Sequence, residues 1–326
     1  VRDGAAMNET PPARLYGLHL AVVLALFGLN FVLPDYHQGL FSRIMVLATF
    51  AMGYNLLFGY CGLLSLGHAM FFAAGLYGAG LAVAHLGWAV LAAFAAGLAC
   101  GALLSLAVGV LALRTSGVAF MIVTMMFSQV LALAILYFAP WTGGDQGLVL
   151  PQQARVLNLG FAAFDLTHPA VRYMAALFLF AVVLLVTLAI VRSPWGRVLV
   201  AIRENEERTR MLGYDTFASK LAAVVVSGVV CAAAGAAWAL LFGYVGANFA
   251  SVQYSILPLL WVLMGGAATT LGPLVGTLAM YYVIDIASSH TSAWLLIVGV
   301  ALVLLVLFFP KGILGTLRRR WPGWLP

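Results

Sequence analysis

Two long stretches of this chain contain almost no charged residue. From Ile44 to Leu113 the sequence has no Asp, Glu, Lys or Arg, and from Leu221 to Pro310 only Asp285 interrupts the run. About 20 apolar residues are enough to cross the hydrocarbon core of a bilayer. Because each stretch is several times that length, the chain is predicted to be a polytopic integral membrane protein.

The overall composition agrees with a membrane protein and excludes other classes. Of the 326 residues, 64% are hydrophobic and 8% are charged, with a mean hydropathy of +1.07, whereas soluble domains are about 25% charged. The net charge of +6 is not arranged as a basic face with interleaved aromatic residues, so we expect no nucleic-acid partner. The three cysteines lack metal-ligand spacing, and we expect neither a disulfide nor a metal site.

The basic residues mark two segments as cytoplasmic. Six Lys and Arg residues lie between Arg192 and Lys220, and four lie between Lys311 and Arg320. Because short cytoplasmic loops are enriched in Lys and Arg, both termini are predicted to be cytoplasmic. The predicted segments are a cytoplasmic tail at 1–14, a transmembrane domain at 15–310 with an external loop at 140–169 and a cytoplasmic loop at 192–220, and a basic cytoplasmic tail at 311–326.

Dividing the apolar stretches into crossings of about 20 residues gives ten candidate spans in an all-α fold. In this topology Arg114 lies in a cytoplasmic turn, while Arg43 and Arg155 fall outside and fit the charge rule less well. The third, eighth and ninth spans contain Gly or Pro at positions that suit short, tilted or broken helices. The candidate spans are 15–33, 40–58, 63–84, 87–112, 117–139, 171–191, 218–242, 256–271, 272–288 and 293–309.

The cytoplasmic loop is dense in charge and is predicted to contain a helix. Arg197 to Leu212 has no Gly or Pro, which favours one helix of about four turns, and Gly213 suits its C-terminal cap. Pairs of opposite charge four residues apart add about 0.2 to 0.5 kcal/mol each. These pairs are Glu204 with Arg208, Glu206 with Arg210, and Arg203 with Glu207. Val198, Ile202, Thr209 and Leu212 share one flank. A solvated connector and a partner-binding helix both fit this pattern.

Five motifs, in order along the chain, resemble the permeases of branched-chain amino acid ABC transporters. GYCGLLSLGHAMFFAAGLY starts at Gly59, and TGGDQGL follows at Thr142. GRVLVAIRENEERTRMLG starts at Gly196, GGAATTLGPLVG at Gly265 and FFPKGILG at Phe308. Of the two permeases in such transporters, the chain most resembles the LivM-type one, whose long outer loop carries the Thr-Gly-Gly.

The resemblance implies a subunit of an importer in the bacterial inner membrane, with the cobalamin-importer-like architecture. Its expected partners are a second, LivH-type permease subunit, two ATP-binding subunits of LivG/LivF type, and an external solute-binding protein. ATP and magnesium are bound by the partner subunits, and we expect no cofactor on this chain, which has no P-loop GxxxxGK[ST]. It is accordingly expected to be a permease and not an enzyme.

The resemblance also assigns two sets of contact residues. The family's coupling helix, which contacts an ATP-binding subunit, corresponds to Arg197, Arg203, Glu204, Asn205, Glu206, Arg208 and Gly213. The external motif expected to help dock the solute-binding protein corresponds to Thr142, Gly143, Gly144 and Asp145.

His68 is an ionisable group within an apolar, glycine-rich stretch, and such a group at membrane depth is a candidate functional residue. Two interpretations stay open. A neutral imidazole could bond a backbone carbonyl and lock a helix crossing, or His68 could edge the translocation pathway together with Asn55 and Ser65.

Asp285 has the same two interpretations as His68. It is the only acid in its apolar stretch, which makes it a pathway candidate. In the structural interpretation we expect its partner to be a nearby hydroxyl, such as that of Thr277 or Ser288.

Glycines in the apolar runs are predicted to let helices approach closely or to mark helix breaks. A helical Gly costs about 1 kcal/mol relative to Ala in water, and close packing between helices in lipid can offset that cost. The residues assigned to these roles are Gly67, Gly75, Gly265, Gly266, Gly272 and Pro273.

The preferred function is import of branched-chain or other hydrophobic amino acids, and three alternatives remain. Closely similar permeases carry urea or short-chain amides. A secondary transporter or channel would require paired intramembrane charges, for which only Asp285 and His68 are available. An integral membrane enzyme would require a cluster of acids or histidines near one interface, whereas the histidines of this chain are scattered.

Overall fold

The computed structural model describes residues 12–158, 163–291, 293, 296, 299–300, 303 and 312–320. Helices make up most of these residues. The helix Asp35–Asn55 continues into a five-residue π-helical turn, Leu56–Tyr60. A further helix, Gly312–Arg320, lies near the C-terminus. The numbered helices are α1 (Pro12–Leu29), α2 (Asp35–Asn55), α3 (His68–Leu86), α4 (Val90–Ala112), α5 (Val118–Tyr137), α6 (Ala139–Thr142), α7 (Pro169–Arg192), α8 (Pro194–Glu204), α9 (Glu206–Met211), α10 (Thr216–Phe242), α11 (Val252–Gly265) and α12 (Gly272–His290).

The fold is mostly helical, which agrees with the predicted all-α class, and two small antiparallel sheets form in the loops. Strand β1 (Leu148–Val149) pairs with β4 (Tyr244–Val245), and β2 (Val156–Asn158) pairs with β3 (Ala163–Asp165). These pairs supply hydrogen-bond partners to backbone groups that lie outside any helix. The loop between α6 and α7 is thereby tied to the segment that follows α10.

Six helices of the described chain are long and apolar enough to cross a membrane: α2 with its π-helical turn, α3, α4, α5, α7 and α10. Shorter apolar helices, Tyr16–Leu29 and Val252–Gly265, lie in the predicted first and eighth spans. The ninth span corresponds to α12, and the tenth, 293–309, falls almost entirely outside the described residues. The chain is therefore a multi-pass helical membrane protein, and the count of ten spans stays a prediction.

Two predicted span boundaries are wrong because the backbone turns there. The third span was placed at 63–84, but residues 61–67 are non-helical and α3 begins at His68. The eighth was placed at 256–271, but α11 ends at Gly265, and 266–271 form a turn. Gly266 has φ of 120° and Ala268 has φ of 58°, values incompatible with a continuing right-handed helix.

The bundle has two distinct ends. At one end, which we call the loop end, β1 pairs with β4, and His85 Nε2 lies 2.8 Å from the Trp141 carbonyl oxygen. At the other, which we call the basic end, the side chain of Arg203 packs on Gly62, and Gly312 packs on Gly266. The helices α2, α3, α10, α11 and α12 run between these ends.

Helices α3, α4 and α10 pack together through small residues. A Cβ atom added to Gly75 would overlap the Ala232 carbonyl, and one added to Gly235 would overlap the Phe72 carbonyl. The backbones of α3 and α10 are therefore in direct contact. In lipid, where apolar side chains gain little by leaving the solvent, this close contact supplies the packing energy between helices.

Three arginines surround the C-terminal end of α10 at the loop end. Arg155 is buried; its Nε donates to the Leu240 carbonyl at 2.8 Å, and its Nη2 donates to the Leu241 carbonyl. Arg43 and Arg172 both lie over the Phe242 ring, at 5.6 and 5.7 Å. These cations oppose the negative end of the helix dipole. Arg43 and Arg155, which fit the charge rule poorly, therefore have a structural role.

Candidate functional site

The loop between α7 and α10 contains two helices, not the single four-turn helix predicted over Arg197 to Leu212. Asn205 is extended (φ −162°, ψ 102°) and separates α8 from α9. Its side-chain oxygen accepts the Arg208 backbone N–H at 2.9 Å. Asparagine is a favoured N-cap residue, and this bond explains why a second helix starts here. Gly213, with φ of 90°, follows the end of α9.

Helix α8 is held against the bundle by one apolar face and one arginine. Ser193 caps its start by accepting the Gly196 N–H at 3.1 Å, and Leu199 and Ile202 are buried. At its end, Arg203 donates from Nη1 to the Gly59 carbonyl in the π-helical turn. The loop therefore contacts the end of α2 directly. Arg197, near the start of α8, has an exposed side chain.

Helix α9 is joined to α10 by an ion pair. Glu206 Oε1 lies 2.6 Å from Lys220 Nζ and 3.7 Å from Arg210 Nη2. Partial burial pushes the pKa of Glu206 upward, but hydrogen bonding and charge from Lys220, together with Thr216 and Arg210, outweigh it, so the pKa lies below its usual value. Glu206 is therefore held as a carboxylate at neutral pH.

Only one of the three predicted ion pairs occurs in the described chain, the pair between Glu206 and Arg210. The pairs of Glu204 with Arg208 and of Arg203 with Glu207 would each span Asn205. Because the helix breaks there, the i,i+4 geometry that these pairs require is lost. The side chains of Glu204, Glu207 and Arg208 are exposed.

Apolar side chains are exposed between the last residue of α9 and the second residue of α10. We call Met211, Leu212, Tyr214 and Phe217 the tip patch. Their exposed fractions are 84%, 72%, 51% and 43%. Leu212 was expected on the buried flank, where Ile202 and Thr209 do lie. Contiguous exposed apolar residues rimmed by charge are typical of a surface that binds a partner.

Asn55 fastens the end of α2 to the turn between α11 and α12. Asn55 is 1% exposed; its Nδ2 donates to the Thr269 carbonyl at 2.9 Å, and its Oδ1 accepts the Ala268 N–H at 3.0 Å. The next residues after Asn55 form the π-helical turn that Arg203 caps. Arg203 in the charged loop and Asn55 are thus connected through the five-residue π-helical turn that follows α2.

The turn itself closes at glycines. A Cβ on Gly265 would overlap the Gly272 carbonyl, and one on Gly272 would lie on the Thr269 hydroxyl. Gly266 requires its positive φ of 120°, and Pro273 lies in the first turn of α12, where its missing N–H carries no cost.

His68 lies in the interior of the described bundle. It is 0% exposed, and its Nε2 lies 2.9 Å from Ser227 Oγ. Ser227 in turn donates to the Gly53 carbonyl at 2.6 Å. The imidazole therefore links α3 to α10 and α2. This geometry favours the interpretation in which His68 locks a helix crossing.

Ser65 and Gly67 form the approach to α3. Ser65 Oγ accepts the Gly67 N–H at 3.2 Å, and a Cβ on Gly67 would overlap the Thr124 carbonyl of α5. The non-helical residues 61–67 thus contact α5 at Gly67. Asn55, Ser65 and His68 lie toward the basic end, and their role at a translocation pathway or gate stays a prediction.

Asp285 is separate from that group. It lies 13 residues into α12 from Gly272, about 20 Å along the helix axis. Its expected hydroxyl partners are wrong: Tyr36 donates to its Oδ2 at 3.4 Å, whereas Ser288 bonds its backbone carbonyl. Thr277 is buried without a hydrogen-bond partner among the described residues. Asp285 instead lines a cavity at the loop end.

The Thr-Gly-Gly motif of the long loop forms a tight turn after α5 and α6. Thr142 is buried, and its hydroxyl donates to the Ile135 carbonyl at 2.6 Å. Gly143 and Gly144 have φ of 77° and 55°, conformations that favour glycine. Only Asp145 in this motif has an exposed charged side chain. The first three residues therefore shape the turn, and Asp145 is presented on it.

The chain is similar to known transport permeases over most of its length. Residues 37–308 match the family described as branched-chain amino acid transport system/permease component. The high-affinity branched-chain amino acid transport system permease protein LivM of Escherichia coli is 28% identical over 298 residues, covering 84% of this chain and 69% of that protein. Its counterpart in Salmonella typhimurium is 26% identical over 299 residues, covering 85% and 69%.

An archaeal protein is similar over a shorter region. The probable branched-chain amino acid transport permease protein LivM of Methanocaldococcus jannaschii is 28% identical over 140 residues, covering 38% of this chain and 41% of that protein. No solved structure matches the chain. Because the family model extends over most of the sequence, the chain belongs to the family of branched-chain amino acid transport system permease components.

Proposed function

We propose that this chain is a permease subunit of an ATP-driven importer and that the loop from Ser193 to Asp215 is where a separate ATPase subunit engages it. The observation that carries the proposal is the tip patch. Its apolar side chains are exposed on a loop otherwise rich in charge, and water alone gives no reason to expose them. A groove on an ATPase subunit would cover them.

The proposed topology places the basic end in the cytoplasm and the loop end outside a bacterial inner membrane. The positive charges of the loop and of the helix Gly312–Arg320 support this orientation. ATP and magnesium are bound by two ATPase subunits. A second permease subunit completes the pathway. The overall architecture is proposed to be cobalamin-importer-like, with ten helices and both termini cytoplasmic.

Movement of the ATPase subunits reaches the membrane through α8. Arg203 connects α8 to the π-helical turn, and Asn55 connects that turn to the hairpin of α11 and α12. A rigid shift of the loop would displace the end of α2 and the hairpin of α11 and α12 together, which is how two discrete arrangements of packed helices alternate. In this mechanism Arg203 and Asn55 are positioning residues.

The proposed solutes are branched-chain amino acids, because the relatives carry that name and the family is described by it. A solute-binding protein would deliver them at the loop end, where Asp145 is exposed. Docking between charged rims fixes register and speeds encounter. Urea and short-chain amides are the competing solutes, which the experiment below separates.

The experiment measures ATPase activity of the complex in lipid nanodiscs, with binding proteins loaded with leucine or with urea. Met211→Asp with Leu212→Asp places two charges in the tip patch. We expect about a tenfold or greater loss of stimulated ATPase activity or of co-purified ATPase, since burying an unpaired charge in an interface costs several kcal/mol. Arg114→Ala, an exposed change at the same end, is the control and should keep wild-type activity.

The outcomes separate the candidates. Stimulation by the leucine-loaded protein alone supports amino acid import, and stimulation by the urea-loaded protein alone assigns the competing solute. If no ATPase co-purifies and the double aspartate variant transports normally, the importer proposal fails. Arg203→Met should retain the ATPase subunits but lose stimulation, whereas Arg203→Lys, which keeps the cation without the fork, should lose less.

A further inference from the structure

We infer that the cavity at the loop end of α11 and α12 binds an α-amino acid with an apolar side chain, and that Asp285 accepts its ammonium group. The inference rests on the proposed function in one respect, since it treats the occupant as the transported solute. The cavity volume is about 350 Å³. Small-molecule sites span about 300 to 1,000 Å³, so it suits a small occupant.

The cavity wall is aromatic and carries one charge. Trp261 and Tyr281 line it from α11 and α12, and Asp285 is the only charged residue among the described residues of the wall. Aromatic faces pack well against an aliphatic side chain and also attract an ammonium group. The aromatic residues of the wall are Trp238, Phe249, Tyr254, Trp261 and Tyr281.

The carboxylate of Asp285 has no cationic partner in the described chain. The ion pairs found there both involve Glu206, and the one side-chain hydrogen bond that Asp285 accepts, from Tyr36, is 3.4 Å long. The Asp285 side chain is half-buried, so a ligand in the cavity can reach its carboxylate. An ammonium group entering the cavity would supply the missing charge and three N–H donors.

Trp261 contributes an aromatic ring to the wall. It is 3% exposed, and its indole N–H is shielded from the surface and has no hydrogen-bond partner within the described residues. An amino acid with an apolar side chain provides an ammonium and an aliphatic group, which match Asp285 and the aromatic wall.

The position of the cavity fits entry from the loop end. Trp238 lies near the end of α10, and Phe249 lies in the turn Ala247–Ala250 that follows β4. The paired strands β1 and β4 and Asp145 also lie at the loop end. A solute released there would meet the cavity before reaching Asn55 and the turn between α11 and α12 at the basic end.

The test measures binding of radiolabelled L-leucine to the purified complex in phosphatidylglycerol nanodiscs, without any binding protein. We expect Asp285→Asn to weaken binding about tenfold or more, because it removes a charge-assisted bond. Asp35→Asn, an acid at the same end outside the cavity, should bind as wild type. Isoamylamine, which has no carboxylate, should compete, and 4-methyl-2-oxopentanoate, which has no ammonium, should not.

Several results would overturn the inference. They are competition by the keto acid equal to that by leucine, leucine binding that is unchanged in Asp285→Asn, or no leucine binding at all. A lipid headgroup also offers a primary ammonium. If leucine fails to bind and phosphatidylethanolamine co-purifies in an Asp285-dependent manner, the occupant is lipid and the solute assignment is wrong.

The two proposals fail separately. ATPase stimulation that persists while Asp285→Asn binds leucine normally rejects the cavity and keeps the importer. Leucine binding that depends on Asp285, found together with no co-purified ATPase and normal transport by the Met211→Asp, Leu212→Asp variant, rejects the importer mechanism and keeps the cavity.

Discussion

The imidazole of His68 and the hydroxyl of Ser227 lie 2.9 Å apart inside the bundle. Ser227 has one proton, which it donates to the Gly53 carbonyl at 2.6 Å. It must therefore accept from His68, which fixes the proton of a neutral imidazole on Nε2. The hydrogen bond between α3 and α10 therefore fixes which tautomer of His68 is present.

Removing the Ser227 hydroxyl should leave the imidazole N–H of His68 buried and unpaired. We expect Ser227→Ala to lower the free energy of unfolding by about 1 to 3 kcal/mol, measured as a lower thermal midpoint of the purified protein in detergent. Ser105→Ala is the control, because its hydroxyl bonds Ala102 within its own helix. Equal losses in both variants would contradict the assigned network.

Asn55→Leu should lose both bonds to the turn between α11 and α12. Because the half-buried Ala268 N–H and the buried Thr269 carbonyl then lack this partner, we expect a loss of about 2 to 4 kcal/mol and, in addition, loss of ATPase stimulation by the loaded binding protein. Gln38→Leu removes a buried amide that bonds the Asn30 and Leu33 carbonyls at the loop end. Gln38→Leu should reduce stability but leave ATPase stimulation intact. If both variants lose stimulation, the effect of Asn55→Leu is a consequence of general destabilisation.

Gly75→Ala should destabilise the protein because its Cβ would overlap the Ala232 carbonyl. Forced separation of α3 and α10 is expected to cost about 1 to 3 kcal/mol or more, seen as a lower thermal midpoint. Gly28→Ala has open space around the added atom and should be neutral or slightly stabilising. A neutral Gly75→Ala would show that the two backbones are not in contact.

Glu206 should give the protein a pH-dependent contribution to stability. Its pKa is lowered in the folded state from an ordinary value of 4.5, so the stabilisation is present above about 4.5 and is lost as the pH falls through the folded value. We expect Glu206→Gln to cost about 1 to 2 kcal/mol at pH 7 and nothing once wild-type Glu206 is protonated. Thermal midpoints from pH 7 down to pH 3 measure this, and Glu207→Gln, which is exposed, should show no such trend.

The sequence predicted the membrane class, the glycine-mediated contacts of α3 and the helical content of the charged loop, because these depend on local composition and spacing. It did not predict the break at Asn205, although asparagine before two glutamates is an N-cap pattern. The absence of Gly and Pro from Arg197 to Leu212 favoured one continuous helix more strongly than this pattern favoured a break. Leu212 was misplaced for the same reason, since the break changes which face it occupies.

The partners of the polar residues could not be obtained from the sequence at all. Asn55 and Thr269 are 214 residues apart, and His68 and Ser227 are 159 apart. Periodicity within one helix carries no information about which other helix lies opposite. Asp285 was assigned a hydroxyl on its own helix because only local neighbours were visible, and its contact is Tyr36, from α2.

The π-helical turn Leu56–Tyr60 is one residue longer than the α-helical path between the same points, as the bond from the Cys61 N–H to the Leu56 carbonyl spans five residues. A deletion of one residue here would restore an ordinary α-helix between the same points and would remove the widened turn whose Gly59 carbonyl accepts from Arg203. In this chain, the widened turn links the charged loop to the hairpin of α11 and α12. In an alignment of relatives, a single gap at this place would identify permeases that lack this link.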